Sequence, residues 1–324
     1  MKTNIRFFLG TILLSIFISF NASAQIAISN INEIPKVKNG ITYIAMKDPN
    51  SKKSKEYVDL FKKYWTFSKF EFIKYSEIEN HLTPESSFLS IGGYVTEVHS
   101  QTLYANGSSS GGIDYAHTHI YLELWTCGEK YLKSTKSNKK FKEKDKLQIA
   151  RVELFTDFQT LMAPENLYQN NYDSDGHIRN WGLGILKNHI QNLTVYLNKN
   201  TEQKLYSTIY NQAEVKKLST ETLYIPNYIL TKFNKFTGDE SKSHEEKELM
   251  EEYKSKYKII TTAELNAKIL NETTPFYYLQ YIKSSTDKFV SVINSSTGEI
   301  VYSFYTPISY NIRPSDFKDL QKKI

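Results

Sequence analysis

Cysteine is nearly absent from this 324-residue chain, which has only Cys127. A single cysteine excludes an internal disulfide bond, so we expect both halves of the fold to be held together by burial of apolar side chains. Among the residues that could activate a thiol, only His119 is near Cys127 in the sequence. We therefore expect an inert, partly buried thiol at this position rather than a nucleophile.

Sequence motifs that identify common enzyme classes are also missing. The chain has no His-Glu-x-x-His, no phosphate loop and no Gly-x-Gly-x-x-Gly after a strand. Neither sign of charge dominates, because 41 basic and 35 acidic residues leave a net charge of +6. That excess is too small to indicate nucleic-acid binding, which needs basic residues clustered on one face. We expect no nucleic-acid partner.

Long hydrophobic runs are confined to the amino terminus. Lys2 and Arg6 precede an apolar run from Phe7 to Phe20, and Ala22-Ser-Ala24 has the small-x-small pattern of a cleavage site. The run is shorter than the roughly 20 residues of a membrane-spanning helix. We therefore predict a signal peptide at 1–24, and a periplasmic or secreted mature protein without a transmembrane segment.

Two parts of the chain have the same predicted order of elements. Strand, long helix, strand, short helix and antiparallel meander are predicted for 25–140 and again for 218–324. The second meander, Phe276 to Tyr305, consists of three runs rich in aromatic and β-branched residues, which favour strands. We interpret the chain as an α+β (mixed α/β) protein with two βαβα-plus-antiparallel-meander units, and we predict that they are an internal repeat.

A helical segment at 141–217 is predicted to link the two units. Apolar residues recur there at spacings of three or four, which favours two or three helices. They are Leu147, Ala150, Leu154, Phe158 and Leu161, followed by Gly182, Leu186, Ile190, Leu193 and Leu197. In the second unit, Ser243 and Glu246 have the spacing of a capping box and predict the start of another helix.

The order of elements resembles the periplasmic α/β module of the TolB amino-terminal and CsgG type. That module runs strand, helix, strand and antiparallel meander, and its later strand pair often has an Asp/Asn-x-x-Thr-Gly-Glu turn. Asn294-Ser-Ser-Thr-Gly298-Glu fits this turn, whereas the segment 141–217 departs from the pattern. The resemblance implies binding or assembly in the cell envelope, without chemistry.

One group of residues could bind a metal ion. His117, His119 and Glu123 are expected to project from one face of a strand, because side chains alternate with a period of two. Two imidazoles and a carboxylate could hold a divalent transition metal such as Zn, Fe or Mn. The spacing from Gly111 resembles the first cupin motif, but Gly128 follows too early for that motif.

The alternative is a solvated strand face without a metal. In this interpretation Ile120, Leu122 and Leu124 face the core, and the opposite face is the wetter one. That face carries His117, His119, Tyr121, Glu123, Trp125 and Cys127. We favour an exported, non-catalytic binding or scaffolding protein without a cofactor, with a protein or envelope component as partner. A metal-dependent enzyme that uses His117, His119 and Glu123 is the alternative hypothesis.

Overall fold

The structure, a computed structural model, describes residues 25–100, 107–108, 113–134, 141–163, 167 and 176–324, with the backbone alone at 94–100, 113–117 and 134. The strands in these ranges are β1 Ile26–Ile28, β2 Ile41–Met46, β3 Lys69–Lys74, β4 Ser86–Ser100, β5 Ile113–Cys127, β6 Lys146–Glu153, β7 Ile209–Tyr210, β8 Leu223–Pro226, β9 Thr231–Lys232, β10 Lys242–Ser243, β11 Tyr257–Ile260, β12 Tyr277–Ser284, β13 Asp287–Asn294 and β14 Ile300–Thr306. The α-helices there are α1 Ile34–Asn39, α2 Lys55–Tyr64, α3 Glu129–Ser134, α4 Phe158–Met162, α5 Leu183–Lys199, α6 Gln212–Lys216, α7 Glu246–Leu249, α8 Thr262–Asn271 and α9 Pro314–Gln321. No helix in the described part of the chain is long and apolar enough to cross a membrane.

The first sheet is mixed, with the strand order β1-β6-β5-β4-β2-β3. Strand β2 pairs in parallel with β3 on one side and with β4 on the other. The other three pairs, β4 with β5, β5 with β6 and β6 with β1, are antiparallel. The chain thus runs from β2 to β3 on one side, and then crosses back from β3 to β4 on the other side of β2. This reversal defines a topological switch point at the carboxyl end of β2.

The second sheet repeats this arrangement with the order β11-β8-β12-β13-β14-β7. Strand β8 pairs in parallel with β11 and β12, and the other pairs are antiparallel. Strands β7, β8, β11, β12, β13 and β14 thus correspond in order and direction to β1 through β6. Each sheet also has a register shift in its last long antiparallel pair, at Leu124/Trp125 and at Val292/Ile293.

These elements confirm the predicted α+β class. Strand β2 spans the predicted residues Ile41 to Met46, and the three meander strands are β12, β13 and β14. The predicted helix from Leu147 to Leu161 is wrong in its first part, because Lys146–Glu153 forms β6 between β5 and β1. Phe158 and Leu161 lie in the short helix α4. The last five residues of β6 are all buried, and they include the charged Arg151 and Glu153. The sequence of β6 also lacks an unbroken alternation of apolar and polar residues, the pattern by which a strand is predicted.

The predicted capping box at Ser243 is also wrong. Ser243 belongs to β10, and the following helix α7 begins after Glu245 and has a single turn. A capping box is present instead at the start of α8, where Thr261 accepts a hydrogen bond from the amide of Glu264 and Glu264 accepts one from the amide of Thr261.

Helix α5 lies between the two units. Its residues Leu186, Ile190 and Leu193 belong to a core that also contains Leu122 of the first sheet and Tyr278 of the second. The amide of Asn188 accepts a hydrogen bond from the Tyr278 hydroxyl at 3.1 Å and donates one to the backbone oxygen of Ser295 at 2.9 Å. One helix thus buries side chains against both sheets.

The amino terminus of α5 is held by helix α8. The side-chain oxygen of Asn266 accepts a hydrogen bond from the amide of Ile185 at 3.0 Å, and its amino group donates to the carbonyl of Trp181 at 3.1 Å. A Cβ atom at Gly184 would lie 2.5 Å from the Asn266 carbonyl oxygen, so the two helices could not approach this closely with a larger residue. The Gly182-Leu-Gly184 sequence therefore serves close packing.

His189 on α5 predicts a pH-dependent stability. Its ring is buried, and burial lowers its pKa from 6.5 to about 4. Because the folded-state pKa lies below the unfolded one, the unfolded state binds the proton first, and stability falls as pH decreases from 6.5 to 4. The expected loss is about 3 kcal/mol.

Urea unfolding of the mature protein at several pH values measures this loss. In His189→Gln we expect the free energy of unfolding to depend less on pH across that range, by about the same amount. The carboxylates contribute equally to both proteins. If the free energy of unfolding depends on pH equally in the two proteins, His189 does not cause the loss of stability.

Candidate functional site

The face of β5 that was predicted to be wet is buried. Tyr121, Glu123, Trp125 and Cys127 on this face are each at most 3% exposed, and His119 is 7% exposed. The opposite face contributes Ile120, Leu122 and Leu124 to the core as predicted. The side chain of His117 lies outside the described part of the chain. The solvated-face interpretation is therefore wrong for the described residues, because α/β packing covers both sides of this strand.

Glu123 is held by two cross-strand partners. Lys146 donates a hydrogen bond to one carboxylate oxygen at 2.7 Å, and Gln148 donates to the other at 3.0 Å. Gly92 on β4 leaves space for this carboxylate, since a Cβ there would lie 2.4 Å from a Glu123 oxygen. The carboxylate raises the pKa of the Lys146 ammonium although burial of the amine opposes this shift. Glu123 is thus buried and paired with a partly buried lysine.

His119 points to a different group of residues. Its Nδ1 atom lies 2.9 Å from the Ser284 hydroxyl oxygen and 3.9 Å from the Glu153 carboxylate. Burial by itself raises the pKa of Glu153, but hydrogen bonds from His119 and Ser284 and the charge of Arg151 outweigh this effect and lower it. Four residues of extended chain separate His119 from Glu123 by roughly 13 Å between Cα atoms. In this structure the two side chains serve separate networks.

A cleft opens at the carboxyl end of β2. Strands β2 and β4 pair only from Ile41↔Ser86 to Ile44↔Leu89, whereas the pairing of β2 with β3 continues to Met46↔Lys74. Beyond Leu89, β4 moves away from β2, and the Tyr75 hydroxyl accepts the hydrogen bond from the amide of Ile91 at 3.1 Å. The resulting opening is at the switch point, where ligands bind in open α/β sheets.

The cleft has a volume of about 1320 Å³ and contains residues of both units. Its inner wall is apolar and includes Ile44, Met46, Phe61, Leu89, Ile91, Leu122, Ile178, Trp181 and Leu186. Polar residues lie around it, and they include Lys47, Asp48, Ser51, Lys53, Ser54, Lys74 and Thr262. An apolar concavity with a few polar groups is the usual composition of a small-molecule site.

The corresponding edge of the second sheet is filled by the protein itself. After β8, residues Asn227–Leu230 form a 3-10 turn that buries Tyr228 and Ile229. The Tyr228 hydroxyl donates a hydrogen bond to the carbonyl of Tyr281, and the Phe155 ring lies edge-on to both tyrosine rings. Two edges of the same topology therefore differ, since one is open and the other is closed by aromatic side chains.

The sequence contained a partial signal for this cleft. The predicted strand 41–46 and the following helix identify a β-loop-α unit, and loops at the carboxyl ends of parallel strands form ligand sites. The point at which β4 leaves β2 depends on Tyr75, whose role in binding the Ile91 amide is a tertiary contact. Trp181 and Thr262 come from distant parts of the chain and join the site only through α5 and α8.

The predicted metal site can be tested by metal analysis. The Lys146 ammonium already binds the Glu123 carboxylate, and displacing a buried cation from its partner is unfavourable. We expect less than one transition metal per chain by mass spectrometry of the mature protein after incubation with Zn or Mn. One tightly held metal ion per chain, lost in Glu123→Gln and kept in Glu143→Gln, would establish the metal site instead.

Comparisons with known proteins do not assign the chain to a family. No protein-family model, no curated protein and no solved structure matches it. The resemblance to the TolB amino-terminal and CsgG-type module therefore stays a prediction. The function has to be argued from the geometry of the chain itself.

Proposed function

We propose that the protein is an exported, non-catalytic binding protein of the bacterial envelope or exterior, and that the cleft at the carboxyl end of β2 is its ligand site. The observation that supports this most directly is that the first sheet opens at its switch point, whereas the equivalent edge of the second sheet is closed. Met46, Ile91 and Trp181 keep partly exposed apolar surface in the cleft, which costs free energy unless a ligand covers it.

The composition of the cleft favours an amphipathic ligand. The partly exposed side chains of Met46, Ile91 and Trp181 form an apolar wall that suits an aliphatic or aromatic body. Among the described residues around the cleft, three are lysines and one is a carboxylate. They are Lys47, Lys53, Lys74 and Asp48. A ligand with an apolar body and an anionic end would place each part against a complementary surface.

Two polar groups inside the cleft have structural partners, which supports binding rather than catalysis. The Tyr75 hydroxyl accepts the Ile91 amide hydrogen bond, and burial raises the pKa of this tyrosine, so it is a poor general base. The Ser90 hydroxyl accepts a hydrogen bond from the Trp125 indole at 3.1 Å. Both hydroxyls stabilise the sheet around the opening.

We also propose that the two units arose by duplication of one ancestral unit. The shared strand order and directions support this proposal, and so does the register shift in the same strand pair of each sheet. In this proposal the first unit, whose edge is open, kept a ligand site of the ancestral unit. The other unit gained a hairpin, β9 and β10, between its first two parallel strands.

Ligand binding is tested with anilinonaphthalene sulfonate, an anionic aromatic dye that fluoresces in apolar sites. We expect saturable binding to the mature protein and a weaker response to Nile red, which has no charge. In Ile91→Trp the indole fills the cleft, and the dissociation constant should rise by about tenfold or more. Isothermal titration calorimetry gives the stoichiometry.

Two matched variants control this experiment. Val195→Trp adds an indole on the exposed side of α5, and Phe236→Ser removes an exposed aromatic ring far from the cleft. Both should bind the dye as the parent protein does. If a folded Ile91→Trp protein binds with unchanged affinity, or if Phe236→Ser abolishes binding, the cleft is not the site.

Export is tested by expression of the full chain in a bacterium. We expect the periplasmic or extracellular fraction to contain a protein that begins at Gln25, because Ala22 and Ala24 provide the small residues of the cleavage site. Mass spectrometry of the intact protein measures its amino terminus. A cytoplasmic protein that retains residues 1–24 would contradict this proposal.

A further inference from the structure

A second group of charged residues is buried at the closed edge of the second sheet. Lys283 lies near the carboxyl end of β12 and is 1% exposed. Its Nζ atom is 3.2 Å from the centroid of the Phe233 ring, and the Phe155 ring is 5.8 Å away. The guanidinium carbon of Arg179 lies 5.4 Å from the centroid of the same Phe155 ring. Two cations thus share one aromatic environment.

A single carboxylate lies between these cations. Glu240 accepts a hydrogen bond from an Arg179 nitrogen at 2.5 Å, and its other oxygen is 3.5 Å from Lys283 Nζ. At that distance the contact with Lys283 is an ion pair without a hydrogen bond. Burial lowers the pKa of Lys283 to about 8 against the attraction of Glu240, and the charge of Arg179 contributes to the lowering. Asp157 also attracts Lys283, so Glu240 is the carboxylate in direct contact with both cations and Asp157 is a more distant one.

Some N–H donors of these two cations make no hydrogen bond to the described residues. Lys283 Nζ and Arg179 Nε are buried, and neither has a hydrogen-bond partner among the residues that the structure describes. Buried donors on charged groups normally have partners, because each unmade bond costs free energy. Asp157, the other nearby carboxylate, binds His177 at 2.6 Å and the amide of Thr160 at 2.9 Å. The site has more donors than its carboxylate can use.

Glu240 is carried by a hairpin whose base packs on the protein and whose tip is exposed. At the base the Phe233 ring contacts the rings of Phe158 and Tyr310. Strands β9 and β10 have two residues each and pair only at Thr231↔Ser243 and Lys232↔Lys242. Phe236 near the tip of this hairpin is 86% exposed. Asn311 holds the base of the hairpin by two hydrogen bonds to the backbone of Phe233. Short exposed hairpins open locally at a small cost in free energy, so Glu240 can leave the site while the sheet stays folded.

We propose that Lys283 and Arg179 form an anion-binding site that Glu240 occupies when no ligand is bound, and that the hairpin 231–243 moves away when an oxyanion enters. A carboxylate offers two oxygens, whereas a phosphate group offers three or more. A phosphate can therefore accept from Arg179 and from Lys283 Nζ at the same time, and its greater charge balances both cations. The ligand is a phosphate group, free or on a small molecule.

This site is separate from the cleft of the first unit and does not depend on it. The two carboxyl edges of the duplicated topology would then bind different ligands. The open edge would take an amphipathic molecule, and the closed edge would take a compact anion in place of Glu240 once the hairpin has moved away. Arg179 lies next to Ile178, which lines the cleft, so one segment of chain contributes to both sites.

The test removes the carboxylate that occupies the site. Glu240→Gln is titrated with inorganic phosphate at constant ionic strength, with chloride as the reference salt. We expect phosphate to raise the melting temperature of this variant and to bind about tenfold more tightly than to the parent protein, because the tethered carboxylate competes at high effective concentration. A parallel titration with glycerol phosphate shows whether the site takes the phosphate group of a larger molecule.

Matched variants decide between a specific site and general charge effects. Glu245→Gln removes an exposed carboxylate close to the hairpin and should bind phosphate as the parent does. Adding Lys283→Met to Glu240→Gln should abolish the gain in affinity. The proposal fails if the folded Glu240→Gln protein binds phosphate no better than Glu245→Gln does, or if Lys283→Met leaves the gain unchanged.

Hydrogen exchange of the parent protein provides an independent measurement if Glu240→Gln does not fold. Saturating phosphate should speed amide exchange in residues 231–243 relative to chloride at the same ionic strength, because the displaced hairpin opens. Exchange in β12 should not increase. Unchanged or slower exchange in the hairpin under phosphate would contradict displacement of Glu240.

Discussion

Burial of helix α5 between two sheets is the constraint on which the rest of the structure depends. Its apolar residues pack into a core that both units share, and its polar side chains bind the backbone of the second unit. The Asn294-to-Gly298 turn packs against α5 so closely that a Cβ at Gly298 would lie 2.3 Å from the Asn188 carbonyl oxygen. This turn, which resembles the Asp/Asn-x-x-Thr-Gly-Glu turn of the TolB amino-terminal and CsgG-type module, thus packs against the helix between the two units.

The shared position of α5 explains how one chain without disulfides holds two sheets together. Asn266 on α8 satisfies the amide of Ile185 at the start of α5, so the first turn of the helix is completed by the second unit. His119 and Glu153 of the first unit meet Ser284 of the second in a buried hydrogen-bonded group. Such groups are costly unless every member has a partner, so they favour one relative placement of the units.

The two carboxyl edges show how one topology can lead to different surfaces. At the first edge Tyr75 binds the amide of Ile91 and keeps β4 away from β2. At the second edge Tyr228 binds the carbonyl of Tyr281 and occupies the equivalent region. A tyrosine hydroxyl bonds to the backbone of the neighbouring strand at both edges. The space around it is open in one unit and filled in the other.

The sequence by itself determined the elements that have a clear local signal. Strand β2 and the meander β12 to β14 follow their predicted spans because they are rich in aromatic and β-branched residues, and helix α5 does so because its apolar residues recur at spacings of three or four. Only the tertiary structure decided that Leu147 belongs to a strand, since β6 lacks an unbroken alternation of apolar and polar residues and its pattern fits either element. The cleft and the buried Lys283 site were equally hidden, because their residues are distant in the chain and meet only when α5 brings the two sheets together.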